Sequence, residues 1–156
     1  MSYVAKVLEP DEEIRYLAKL SWTAYVPGVL AIVVAIIIAV FGMTYSVDHV
    51  FVYGIGALLA AVIGLIGVLM VASAFYQRWT TEIAVTNRRV ILKRGLVVRH
   101  TIEMNMSKVE SVDVAQSILG RILNYGNVTI RGTGSSLEPI NGIDNPLAFR
   151  SSITSI

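Results

Sequence analysis

Two long apolar stretches interrupt an otherwise mixed pattern of polar and apolar positions. Val50–Tyr76 runs for 27 residues without a charged side chain. As a helix it would reach roughly 40 Å, more than the ~30 Å hydrocarbon core of a bilayer. An earlier uncharged run has its apolar centre at Ala24–Met43, and only Thr44–His49 separates the two. Helices of soluble proteins keep a polar face toward water, and these runs have none. The pattern predicts a transmembrane helical hairpin over residues 24–76, with spans at 24–43 and 50–76 and an outer loop at 44–49.

Before the hairpin, residues 1–23 read as a cytoplasmic N-terminal segment. Glu9-Pro10-Asp11-Glu12-Glu13 precedes any apolar stretch, which argues against a signal peptide. Pro10–Glu13 would suit the first turn of a helix, where acidic groups meet the positive end of the dipole. Ile14, Leu17 and Leu20 or Ser21 would then share one face along the membrane surface. The alternative is a polar leader that only delivers the first span.

Residues 77–156 change from helical to β texture. Thr80–Thr86, Val90–Arg94, Leu96–Met104, Lys108–Ala115, Val128–Arg131 and Leu137–Ile140 read as strands, the fourth with an irregular, bulge-like pattern. Asn87-Arg88, Gly95 and Tyr125-Gly126-Asn127 supply turns, Gly126 at a position needing φ > 0. Ser117–Leu123 makes one or two helical turns, with Ile118, Leu119, Ile122 and Leu123 expected to tuck against the barrel opening and Gly120 allowing close backbone approach. A last helix begins at Asn145-Pro146, Asn145 as N-cap and Pro146 at the first helical position. It places Phe149, Ile153 and Ile156 toward the sheet. Short strands in hairpin order closed by one helix predict a small antiparallel β-barrel or sandwich. The fold class is membrane α + β.

Within the spans, Gly28, Ala31, Ala35, Ala39 and Gly42 form one smooth stripe and Gly56, Ala60, Gly64 and Gly67 another. Small residues at such spacings let helix backbones approach closely in lipid. The stripes are expected to face each other within one hairpin, the alternative being a dimer that uses one of them. Trp22, Tyr25 and Tyr45 sit where interfacial anchors do, and Pro27 lies in the first turn, where its missing N–H costs little. Arg15 and Lys19 lie before the first span, Arg78, Arg88, Arg89, Lys93 and Arg94 follow soon after the second, and the loop has no Lys or Arg. Basic residues stay on the cytoplasmic side, so both termini are expected inside. Neither span holds an ionisable residue, so a conduction path of the usual kind has no support.

Composition adds little beyond this. The apolar fraction is 54% and the charged fraction 15%, an excess of apolar residues over ordinary soluble domains that the two runs account for. There is no cysteine, which excludes disulfides and thiolate metal sites. A net charge of +2 gives no argument for nucleic acid.

The stretch Val112–Ile130 (VDVAQSILGRILNYGNVTI) resembles the signature of the bacterial pleckstrin-homology-like domain family, typified by YdbS-like membrane proteins. Thr86-Asn87-Arg88-Arg89-Val90-Ile91 with Gly95 is similar to that family's first hairpin, and Ile143-Asp144-Asn145-Pro146 with Phe149 to its closing motif. The resemblance covers almost the whole chain. It implies two transmembrane helices followed by a PH-like β-barrel capped by a C-terminal helix, in the bacterial inner membrane. The C-terminal helix, ending at Ile156, is short for that fold.

Candidate chemistry is sparse. His49 beside Asp48 makes a poor metal site, and His100, on the apolar side of its strand, reads as a structural histidine. Ser135, Ser136, Ser151 and Ser152 have no evident base nearby in sequence. Gly132-Thr133-Gly134 is followed by no Lys-Ser/Thr and reads as a hairpin loop rather than a phosphate loop. No catalytic residue, cofactor or metal is expected. Arg78, Arg88, Arg89, Lys93 and Arg94 crowd the start of the β domain and are the candidates for contact with anionic lipid; a basic flank that merely sets topology is the plainer reading. Two functions remain open. One is a membrane-anchored interaction module, serving as an accessory, assembly or scaffolding subunit with other membrane proteins or as a homo-oligomer. The other is a protein that binds or organises anionic lipid.

Overall fold

Ile14–Ala18, expected as part of a helix or leader, is instead a strand, β1, antiparallel to β2 at Glu82–Thr86. The alternation of Tyr16 and Ala18 toward the core, with Leu17 outward and 53% exposed, is strand periodicity. Asp11 has φ 70°, which interrupts the helix that Pro10 would have started. The expected boundary between residues 1–23 and 77–156 is thereby corrected. The chain divides into one unit made of residues 1–23 and 77–156 and a second made of Ala24–Tyr76. The computed structural model describes residues 7–45, 50–96, 100–133, 135–136 and 139–154, with the side chains of 45, 50–53 and 135–136 left aside.

The second unit is the hairpin. A 3-10 turn at Trp22–Tyr25 leads into helix α1 (Val26–Tyr45), and α2 spans Val50–Thr80. Two stretches, Trp22–Thr44 and Gly54–Thr80, are long and apolar enough to cross a membrane. At 31 residues, α2 is about 46 Å long and outlasts the apolar run, carrying Arg78 in its last turn. The glycine contacts are closest near the start of α1. A Cβ on Gly28 would stand 2.9 Å from the Gly67 carbonyl oxygen, and one on Gly67 would stand 2.9 Å from that of Gly28. A Cβ on Gly64 would meet Ala35 at 3.5 Å, and Ala35 and Ala60 are buried. Nearer the loop, Gly42 and Gly56 have nothing within 4 Å, and a groove of about 390 Å³ opens between Ala35, Ala39 and Gly42 on α1 and Ala57, Ala60 and Gly64 on α2.

The first unit contains two four-stranded antiparallel sheets; among the described residues they do not close into the barrel that was expected. One sheet has the order β1-β2-β3-β4, with β3 at Arg89–Arg94 and β4 at His100–Asn105. The other joins β5 (Val109–Ala115), β6 (Tyr125–Gly132) and β7 (Ser135–Ser136), with β8 (Ile140–Asp144) also on β6. The register of β5 shifts between Val109 and Ser111, which accounts for its irregular sequence pattern. Residues 97–99 and 137–138, expected in strands, lie outside the described residues, as do Asp48, His49 and Ile156. Helix α3 spans Ile118–Ile122 and α4 spans Pro146–Thr154.

The two sheets enclose a core of Ile83, Val85, Val90, Leu92, Met104, Val128, Ile130, Ile140 and Ile143, closed by Phe149 and Ile153 from α4. Tyr16 of β1 packs against Phe149 with ring centroids 6.1 Å apart, an edge-tilted arrangement favourable for aromatic pairs. Beyond β1 the same segment joins the second sheet. Leu20 bridges Ile143, the Ser21 N–H donates to the Gly142 carbonyl, and the Asp144 N–H donates to the Lys19 carbonyl. The N-terminal segment therefore links both sheets.

Candidate functional site

The basic residues that the sequence places together are separated by the sheet. Arg88 and Arg89 lie at the β2–β3 turn, whereas Lys93 and Arg94 lie at the opposite end of β3, about 17 Å away at about 3.4 Å per residue. Arg78 belongs to the last turn of α2. The acidic N-terminal segment neutralises the turn end. Arg89 donates through Nε to Glu12 Oε1 at 3.0 Å and through Nη2 to Glu12 Oε2 at 2.7 Å, the two-pronged geometry that suits guanidinium and carboxylate. It also reaches Glu103 at 2.9 Å and the Val7 carbonyl at 3.1 Å, while Arg88 pairs with Glu9 at 3.2 Å.

Glu12 is enclosed. Its side chain has no exposed surface, its carboxylate accepts the Thr86 hydroxyl at 2.7 Å and the Glu9 N–H at 3.0 Å, and Arg89 is only 14% exposed. The Arg89 hydrogen bonds hold the Glu12 carboxyl down at about 2 against the opposing effect of burial, with the Glu9 N–H and Thr86 lowering it further. The same carboxylate pushes the Arg89 guanidinium up. Burial, helped by the Asp144 charge, raises the Tyr16 phenol. At the other end of β3, Lys93 is buried and its Nζ lies 3.3 Å from Glu82 Oε1, and Arg94 Nη2 donates to the Pro139 carbonyl at 3.3 Å. The structure thus divides Arg88 and Arg89 from Lys93 and Arg94 and gives each of the four a partner.

A different surface stands out on the β5–β6 connection. Ile118, Leu119 and Ile122 were expected to pack inward, yet they are 81%, 63% and 73% exposed, and Leu123 is 39% exposed. The backbone is the reason. Ser117 caps the turn by accepting the Gly120 N–H at 3.0 Å, and the Gln116 side-chain amide donates to the Tyr125 carbonyl at 3.1 Å and the Gly120 carbonyl at 3.3 Å. Gly120 is the residue that faces inward, where a Cβ would lie 2.7 Å from the Tyr125 carbonyl oxygen. With glycine on the inner side, the aliphatic neighbours point out. The left-handed residue of the following turn is Asn124 (φ 54°), not Gly126; Gly126 is required because a Cβ would come 2.9 Å from the Ala115 carbonyl oxygen.

Beside this turn lies a recess of about 830 Å³ lined in part by Gln116, Arg121, Asn124, Asn127, Leu147 and Arg150. Other candidates do not converge on a site. His100 shares the β4 face of Ile102 and Met104 but lies at the strand's first position, where it is exposed. Ser151 and Ser152 donate their hydroxyls to carbonyls of their own helix. No group of three or more His, Asp or Glu able to hold a metal occurs among the described residues.

Sequence reasoning identified the turn motif but missed both the Glu12–Arg89 pair and the outward direction of the α3 aliphatics. The pair joins residues 77 positions apart, for which local spacing offers no signal. No curated protein and no solved structure matches the chain. A family model described as the bacterial PH domain matches residues 14–153, starting at the first residue of β1 and ending in α4. With the match running through both sheets and the closing helix, this chain belongs to the bacterial PH domain family.

Proposed function

We propose that the protein is a membrane-anchored, non-catalytic interaction module that serves as an accessory, assembly or scaffolding subunit of a bacterial inner-membrane complex, with both termini cytoplasmic. The observation that carries this reading is the point of insertion. The hairpin leaves from the end of β1 and returns at the start of β2, and these are antiparallel neighbours, Ala18 opposite Ile83. A domain built from both flanks of its own anchor is joined to it by two chain crossings instead of one, which suits a module kept at the membrane. Membership of the bacterial PH domain family supports an interaction role.

Anionic lipid binding is the competing reading, and the pairing of Arg88, Arg89 and Lys93 with Glu9, Glu12 and Glu82 weighs against it. A cation already paired gains less from a headgroup. The test is purification of the tagged full-length protein in mild detergent with mass spectrometry of what accompanies it. A stoichiometric protein partner that survives high salt supports the module. Recovery alone, with salt-sensitive binding to anionic vesicles, refutes it in favour of lipid.

A further inference from the structure

We infer that the outward face of α3 and the recess beside it form a docking site for an acidic, amphipathic segment of a partner protein; this rests on the interaction-module reading and names the surface and the chemistry it takes. Three aliphatic side chains, Ile118, Leu119 and Ile122, project from one short turn, far more exposed than the aliphatics of either sheet's core. Clustered exposed apolar groups of this kind mark interaction surfaces. The turn is also rigidly built. The Ser117 cap, the two Gln116 hydrogen bonds and the close approach of Gly120 to Tyr125 fix it from below. A surface held in place before binding loses little conformational freedom on binding.

The charge of the recess selects the partner. Arg121 and Arg150 both line it, and no Asp or Glu does. No carboxylate among the described residues pairs with either guanidinium, in contrast to Arg88, Arg89 and Arg131. Asn124 and Asn127 line the same recess and Leu147, 50% exposed, adds an apolar patch to it. A peptide segment can lay an apolar face on Ile118, Leu119 and Ile122 and set a carboxylate between the two arginines, with amide groups left for its backbone.

The test uses the full-length protein in its own membranes, with the photoreactive residue benzoylphenylalanine at position 122 and, separately, at the exposed position 110 on the same strand pair. The expected result is a protein adduct from position 122 and none from 110. The crosslinked peptide, sequenced by mass spectrometry, should combine apolar residues with Asp or Glu, and Arg121→Glu with Arg150→Glu should cut the yield at least tenfold. A peptide without acidic residues, adducts with lipid only, no adduct, or a yield indifferent to the two charge reversals would each overturn the inference. If the detergent purification still yields a stoichiometric partner in those cases, the module reading stands and this surface is wrong. If it yields none, the module reading falls as well.

Discussion

Replacing Arg89 by methionine tests whether the N-terminal segment is truly part of the domain. The substitution preserves much of the side chain's bulk but removes the fork that holds Glu12 at 2.7 and 3.0 Å. Glu12 then keeps only the Thr86 hydroxyl and the Glu9 N–H, with no exposed surface of its own. Breaking a buried pair by removing one partner costs about 3–5 kcal/mol. This pair sits at a sheet end beside Glu9, which is 54% exposed, so water can reach a relaxed carboxylate and we expect about 2–4 kcal/mol. Hydrogen exchange of the full-length protein in nanodiscs reads the loss locally. At about 1.4 kcal/mol per factor of ten, protection of the β1 amides should fall about 30- to 700-fold. Adding Glu12→Leu to Arg89→Met should recover part of it, because the stranded charge is gone. If each single substitution costs less than about 0.5 kcal/mol and the two simply add, the pair behaves as a screened surface contact. The argument that it clamps the segment would then be wrong.

The same pair predicts an acid limit. The Glu12 carboxyl is lowered from 4.5 to about 2 on folding, so its contribution is complete above pH 4.5 and lost as pH falls toward 2, a loss that Glu12→Gln should flatten in an acid titration followed by exchange. Joining Ser21 to Thr81 through a short Gly-Ser linker should give a folded domain with a dispersed amide spectrum, while residues 77–156 alone, lacking β1, should not. In the hairpin, Gly28→Val or Gly67→Val should push the helices apart and lower detergent melting, because each Cβ meets backbone at 2.9 Å, whereas Gly42→Ala and Gly56→Ala should leave it unchanged. Phe149→Ala, at a fully buried site, should cost about 3–5 kcal/mol by denaturation.

The sequence by itself determined the elements whose causes are local. The two long apolar helices follow from runs of apolar residues, the β strands after Gln77 from alternation, and α4 from the proline at its first position, with Phe149 and Ile153 correctly placed in the core. The family was also legible, because the turn motif from Val112 to Ile130 is contiguous. The tertiary structure decided what depends on distant partners. Ile14–Ala18 is too short, and follows too acidic a run, to declare itself a strand, and it becomes one because β2, on the far side of the hairpin, offers an edge. The basic cluster looked like a single patch because its residues are close in sequence, but a strand about 17 Å long separates its two ends and acids from elsewhere pair with it. The direction of the α3 aliphatics was hidden for a related reason. A hydrophobic residue carries a preference for burial but no information on which side of its backbone the core lies, and at α3 that side was taken by Gly120 against the Tyr125 carbonyl.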